Sequence, residues 1–341
     1  MDKILIIHTG GTIESIIRGK TIDVSKQGKL RLMTDTLLQS PYPFAFESIS
    51  PLNCLSENLE PQDWSTLLNV FSSLDLSAYK GIIVTHGSDT LPYTAAALSY
   101  GLKNIPLPVF IICAAHPLAH PQSNGLVNLS GALDFIYKVG LPGVFTAYQN
   151  TQEPLKIHLG SRLCEADFVK DVFESFGKKP LAHFDQGKFV FDDKKAAAHL
   201  KETATPKKNY IIDPPDFKHA ILAIKTYPGL DYRYLDVKTT SPKAILHVLY
   251  HSGTGNVRKN TSTSLAAFIK NTPAIDHYLI SYKDLNQAQY ATAHTLFSVG
   301  GLPLCNISFE AALTKLWFAY HQEKQSPKSY MQTPLTEEFL C

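Results

Sequence analysis

No stretch of this chain approaches the ~18 consecutive apolar residues of a membrane-spanning helix. After Met1-Asp2-Lys3 the apolar run lasts only from Ile4 to Ile7 before His8, too short for the core of a secretory signal. Cysteine is scarce as well. Cys54, Cys113, Cys164, Cys305 and Cys341 are odd in number, widely spaced and form no CxxC, so neither a disulfide framework nor a structural zinc site is expected. An excess of one charge is also lacking: 32 basic against 30 acidic residues leave a net charge of +2, which favours neither a nucleic-acid nor a membrane partner. The Lys pairs at 178–179, 194–195 and 207–208 are scattered and read as solvated faces. Internal repeats and low-complexity tracts are absent. These gaps leave a soluble, cytoplasmic protein as the expectation.

What is present is ordinary globular composition, 44% hydrophobic and 18% charged, over 341 residues, more than one hydrophobic core comfortably spans. Short, nearly continuous apolar runs rich in β-branched residues occupy 4–7, 81–84, 109–113 and 144–147. Runs of this length suit strands buried on both faces of a parallel sheet. Helical patterns lie between them. One opens at Pro61, with Leu67, Leu68, Val70 and Phe71 at helical spacing; another follows Pro92 over 93–102. The alternation predicts a doubly wound, mostly parallel α/β domain over 1–197. A polar, Lys-rich linker is expected over 198–216 and a smaller α/β domain over 217–341. The latter has strands at 219–224, 244–249 and 277–280, helices at 264–270, 287–299 and 310–320, and a flexible tail of about twenty residues.

Ligands of open parallel sheets bind beyond the carboxyl ends of the strands. The first such end reads His8-Thr9-Gly10-Gly11-Thr12-Ile13. Its glycines allow a tight turn and close approach of backbone N–H groups, and Thr12 adds a hydroxyl beside them. A plain Gly-rich turn would explain this segment equally well. The second end reads Thr85-His86-Gly87-Ser88-Asp89-Thr90-Leu91, a hydroxyl next to a carboxylate at a helix start; helix capping by Ser or Asp is the bland alternative. Two such ends in one sheet make chance a poor explanation.

Together, TGGTI after a first strand and THGSDT about 75 residues later resemble the paired signatures of the bacterial L-asparaginase family. Further likeness lies in Ser56-Glu57-Asn58 with Pro61 and Trp64, in Pro121-Gln122-Ser123-Asn124-Gly125 with Asn128-Leu129, and in three later segments. Those are Tyr227-Pro228-Gly229, Gly253-Thr254-Gly255-Asn256 and 309–316, which resemble the cytoplasmic (type I) subgroup. The resemblance implies hydrolysis of an amino-acid amide through an acyl-enzyme, without metal or cofactor. Thr12 would attack; Ser88 and Asp89 would hold the substrate and assist proton transfer. Ser56 and Glu57 would take the α-groups, with Gly11, Gly87 and the backbone at Ala114 and Ala115 around the amide. A homodimer or homotetramer is implied, with Asn256 and Lys283 as candidates for completing a neighbour's site.

Two departures concern activation. Where the family has a lysine paired with the second hydroxyl and its aspartate, this chain has Glu165 (or Cys164). Where the family has a loop tyrosine, no Tyr occurs from Ile13 to Pro41. Lys170 and Lys20 are the nearest candidates to replace them. Glu14 is also unusual at a position where the family prefers a small residue. His8, His86, His116 and His120 come from different strand ends, and Pro117 splits the only i,i+4 pair, so no metal site is read from them. The sequence leaves three functions: an asparaginase; the same scaffold acting on another amide such as glutamine or a transfer-RNA-linked amino acid; or an amino-acid binder without turnover.

Overall fold

The computed structural model describes residues 2–32, 37, 40–202, 215–282, 284–322 and 324–340. They form two compact units, 1–214 with 335–337 and 215–334 with 338–341.

In the first unit, β1 (Asp2–Ile7) enters the core from its third residue, and Ile4 to Ile7 are buried. The chain then makes a small antiparallel hairpin, β2 (Ser15–Arg18) and β3 (Thr21–Val24), followed by helix α1 (Lys26–Arg31). Strand β4 (Phe44–Ile49) returns parallel to β1 as the sheet edge. Helix α2 (Pro61–Ser73) leads to β5 (Gly81–Thr85), α3 (Leu91–Gly101), β6 (Pro108–Ile112), α4 (Gly125–Lys138) and β7 (Gly143–Tyr148). Three more strands, β8 (Lys156–Leu159), β9 (Ala182–Asp185) and β10 (Lys188–Phe191), add antiparallel before helix α5 (Lys194–Glu202). The sheet order is β10-β9-β8-β7-β6-β5-β1-β4, with β4 to β7 parallel.

The parallel part is the buried-run pattern made visible: every residue of β5 and β6 is buried, as expected for strands covered on both faces. Phe110, Phe135 and Phe145 pack with ring centroids 5.4–5.5 Å apart on the α4 side. On the other side the Trp64 indole N–H donates to Thr94 Oγ1 (3.1 Å), tying α2 to α3. Strand β4 and the antiparallel extension are not apparent as strands in the sequence. Strands β4, β9 and β10 are only partly buried, and β8, though largely buried, is four residues long with His158 inside it, so the continuous apolar signal is missing. Helix α5 occupies 194–202, so the first five positions of the expected linker are helical; 203–214 lie outside the described residues.

The second unit contains β11 (Ile221–Lys225), α6 (Val237–Thr240), β12 (Ala244–Val248), α7 (Leu265–Asn271), β13 (Asp276–Tyr282), α8 (Ala291–Ser298), β14 (Gly301–Cys305), α9 (Phe309–Ala319) and α10 (Pro327–Gln332). Its four strands pair in sequence order, all parallel. Strand β14 escapes sequence reading because Pro303 interrupts it, which an edge strand tolerates.

The expected flexible tail is instead packed. Ser326 caps α10 and Pro327 opens it, so the Ser-Pro pair that reads as loop is a helix start. The Lys315 ammonium donates to Glu338 Oε1 (2.5 Å) and to the Thr333 carbonyl (2.7 Å), with the Lys315 and Glu338 side chains fully buried. A buried ammonium needs such a counter-charge, and the tail supplies it.

Buried histidines make both units acid-sensitive. Burial pushes His158 down to about 3, His247 to about 3 and His277 to about 4. Each is neutral when folded and free to protonate near 6.5 when unfolded, so stability is full above that pH and declines as pH falls towards 4. Urea unfolding should show this decline. His158→Gln, which removes one titrating ring while leaving a polar partner for Ser175, should flatten the slope by up to about 1.4 kcal/mol per pH unit. Identical slopes for parent and variant would contradict the assignment.

Candidate active site

Three loops converge at the carboxyl ends of β1 and β5. The first follows β1. Its Thr9 N–H donates to Thr85 Oγ1 (3.2 Å), and its hydroxyl donates to the Thr85 carbonyl (2.5 Å). Gly10 and Gly11 then adopt positive φ, +107° and +82°. A Cβ on Gly11 would stand 2.2–2.3 Å from atoms of the His86–Gly87 peptide, so only glycine lets the first loop lie on the second. Thr12 follows, half-buried, at the head of a 3₁₀ turn over Thr12–Glu14.

The second loop, after β5, carries Gly87, half-buried Ser88 and exposed Asp89 into the start of α3. A Cβ on Gly87 would meet Ser56 Oγ at 2.3 Å, which puts the third loop against the second. Thr90 Oγ1 donates to the Ser56 carbonyl (2.9 Å), and the Cys54 N–H donates to the Thr9 carbonyl (3.0 Å), closing the triangle of loops. Ser56 is buried, while Glu57 projects outward from the same short turn, Ser56–Asn58. The structure therefore gathers the loops of Thr12, Ser56-Glu57 and Ser88-Asp89 at one end of the sheet.

The fourth wall follows β6. Ala114 is buried and Ala115 exposed, and the Ala115 N–H is already donated to Asn124 Oδ1 (2.8 Å). Asn124 in turn donates to the Gln149 carbonyl (3.0 Å), so Asn124 sets this backbone. Ala115, His116, Asn124, Tyr148, Lys170 and Asp171 line a cleft of ≈ 490 Å³. Lys170 reaches it on a turn held by Asp167, whose Oδ1 accepts from the N–H groups of Val169 and Lys170. Lys20 stands exposed at the tip of the β2–β3 hairpin. Among the described residues, no side-chain hydrogen bond or ion pair joins Lys20 or Lys170 to Thr12, Ser88 or Asp89. Glu165, where the resemblance calls for lysine, accepts a hydrogen bond from the Tyr93 hydroxyl in the first turn of α3.

Burial sets the protonation of the deeper groups. His86 is pushed down to about 4, hence neutral, with Nδ1 against the Gly87 carbonyl (2.8 Å). The Cys113 thiol is pushed far above its usual range by burial and then by the Asp89 charge, so it carries no reactive thiolate. His116 and His120 pack ring against ring, tilted by 31°, with centroids 4.3 Å apart. In the second unit, the Asn256 side chain is engaged within its own turn, donating to Thr263 Oγ1 (3.0 Å) and accepting from the Arg258 N–H (2.9 Å). Lys283 lies outside the described residues. Tyr93, Thr90 and the buried side of Glu14 are the features that strand-end motifs do not reveal, because each depends on a partner distant in sequence.

The N-terminal asparaginase family model matches residues 3–197. The chain belongs to the asparaginase family. It is similar to the L-asparaginase of Thermococcus kodakarensis, 28% identical over 326 residues, covering 93% of this chain and 92% of that protein. It is also similar to a component of the glutamyl-tRNA(Gln) amidotransferase of Saccharolobus solfataricus, 26% identical over 355 residues, covering 98% of this chain and 76% of that one. Its fold matches the thermostable L-asparaginase structure of Thermococcus kodakarensis with TM-score 0.79 at 24% identity, covering 99% of both chains. It matches L-asparaginase I of Vibrio cholerae with TM-score 0.79 at 23% identity, over 100% and 99% of the two chains. As a member of this family the protein is an amidohydrolase.

The loop packing has a direct test. Gly11→Ala places a methyl group against the His86–Gly87 peptide at a left-handed φ, and urea unfolding should register a loss of about 2–4 kcal/mol, the backbone strain plus the steric clash. Gly19→Ala, at positive φ but with open space around it, should cost about 1 kcal/mol, the backbone strain alone. Equal losses would mean that the contact of the two loops carries no strain.

Proposed function

We propose that this amidohydrolase hydrolyses L-asparagine to L-aspartate and ammonia through an acyl-enzyme on Thr12. The observation that carries the reading is the contact of Gly11 with the His86–Gly87 peptide, which brings the Thr12 and Ser88-Asp89 loops to one point. Thr12 attacks the side-chain amide carbon, and ammonia leaves with the proton that the hydroxyl gives up. Water then releases aspartate from the ester. Ser88 orients the amide and Asp89 assists the proton transfers. Ser56 takes the substrate α-carboxylate, and the exposed carboxylate of Glu57 takes the α-ammonium. Backbone groups of Gly11, Gly87 and Ala114 face the amide, with Ala115 oriented by Asn124. The reading calls for no metal or cofactor and for no nucleic-acid or membrane partner. No helix among the described residues is long and apolar enough to cross a membrane. On the likeness to the cytoplasmic subgroup, we take the protein to be cytoplasmic and a homodimer or homotetramer. Asn256 and Lys283 are the candidates for completing a neighbouring subunit's site.

A second reading, the same chemistry on another amide, is favoured by the likeness to the amidotransferase component over 98% of the chain. Turnover without the family lysine and loop tyrosine rests on Lys170 and Lys20 respectively replacing them, and failing that the chain binds its amino acid without hydrolysis.

Ammonia release from asparagine, glutamine and a panel of small amides separates these readings. With asparagine as substrate, Thr12→Ala should lower turnover at least about 10³-fold and Ser88→Ala about 10²-fold. Parental turnover in Thr12→Ala would remove Thr12 as nucleophile. No turnover on any amide, combined with thermal stabilisation by asparagine, would leave the binding reading.

A further inference from the structure

Directly beneath the Thr12 turn lies a buried polar cluster that the proposed chemistry does not use. Glu14, the last residue of that turn, has no exposed surface. Its Oε1 accepts from Thr85 Oγ1 (2.7 Å), at the end of β5, and is in hydrogen-bond contact with His8 Nδ1, just past the end of β1. His8 and Thr85 are buried too, 3% and 0% exposed. The other carboxyl oxygen, Oε2, is buried without a hydrogen-bond partner among the described residues. Leaving half of a buried carboxyl group unpaired costs stability, and a small apolar residue would fill this turn without that cost.

The connections of the cluster suggest what this group does. The Glu14 N–H donates to the Gly11 carbonyl (3.0 Å), which fixes the turn that carries Thr12. Its own carbonyl accepts from the Ser25 N–H (3.2 Å), and a Cβ on Gly28 of α1 would stand 1.9 Å from that carbonyl oxygen. The turn is therefore clamped from behind by α1. From the front, Thr85 links it to β5: its hydroxyl binds Glu14 and accepts from Thr9, and three residues later the chain reaches Ser88. One carboxyl oxygen thus joins both strand ends that carry the site.

We propose that Glu14 is a positioning residue for amide hydrolysis: its buried carboxyl group couples the Thr12 turn to the strand end bearing Ser88 and Asp89. The functional half of this proposal rests on the amide-hydrolysis reading above; the mechanical half does not. Fixing the relative position of nucleophile and amide-holding groups affects the chemical step more than affinity, because a misplacement of about 1 Å costs about 10²-fold in rate.

Two readouts test it. Glu14→Gln keeps an oxygen to which Thr85 and His8 can both donate; Glu14→Ala removes it. Steady-state kinetics with asparagine should show kcat about 100-fold lower in Glu14→Ala with KM within about threefold, and Glu14→Gln restored to within about fivefold of the parent. Hydrogen exchange read by mass spectrometry should show peptides spanning 9–16 and 84–91 exchanging at least about tenfold faster together in Glu14→Ala, with parental rates in Glu14→Gln. Thr85→Val removes that hydrogen bond from the other strand, together with the one Thr85 Oγ1 accepts from the Thr9 N–H, and should show both effects at least as strongly, so a misfolded Glu14→Ala does not stop the test. Parental kcat in Glu14→Ala or Thr85→Val, or faster exchange in 9–16 alone, would overturn the coupling. A parent that releases no ammonia from any amide would remove the catalytic reading, and the exchange data would still decide the mechanical one.

Discussion

The contact between Gly11 and the peptide joining His86 to Gly87 is the constraint from which the rest of the site follows. Two parallel strands, β1 and β5, end side by side, and each must turn away from the sheet. With any side chain at Gly11 the two turns would be pushed apart by a methyl group or more. The same tightness recurs at Gly87, whose missing Cβ lets Ser56 close the third side. What results is a patch of closely packed backbone and small hydroxyls, suited to holding a small polar molecule against N–H groups.

The electrostatics of this patch are unusual. Two exposed carboxylates stand on the gathered loops, Glu57 and Asp89, and a third, Glu165, is tied through Tyr93 to the start of α3. His86, buried and neutral, adds no positive charge. Attack by a hydroxyl is helped by a base or a fixed cation. Lys170 lines the neighbouring cleft with Ala115, on a turn held in shape by Asp167 rather than by the site itself. Beneath the turn, the Glu14–His8–Thr85 cluster ties the two strand ends together. Mechanical order below the surface and acidic groups above it are the two features that distinguish this site.

Much of the architecture was legible in the sequence. Apolar runs without alternation mark β1, β5, β6 and β7, since a strand covered on both faces has no polar positions to interleave. Strand β4 is only partly buried, β14 carries Pro303, β9 and β10 are short and partly exposed, and β8 is four residues long with His158 inside it, so none produces that signal. The tail misleads for a different reason: Ser326-Pro327 is equally good grammar for a loop and for a helix start. It is the buried ammonium of Lys315, eleven residues upstream, that draws the segment around Glu338 back onto the unit.

Thr12, Ser88 and Asp89 could be picked out because ligand sites follow from strand direction, and direction follows from hydrophobic runs. Both glycines were legible for the same reason, as turn residues. By itself, then, the sequence determined which strands are buried, where they end and which hydroxyls stand at those ends. Tertiary structure alone decided how those ends meet: that Gly11 lies on Gly87, that Asn124 engages the Ala115 amide, that Tyr93 binds Glu165. It also decided that Glu14 turns inward to His8 and Thr85. These are contacts between segments up to about 75 residues apart, and their geometry is set by the register and twist of the sheet, which no local pattern encodes.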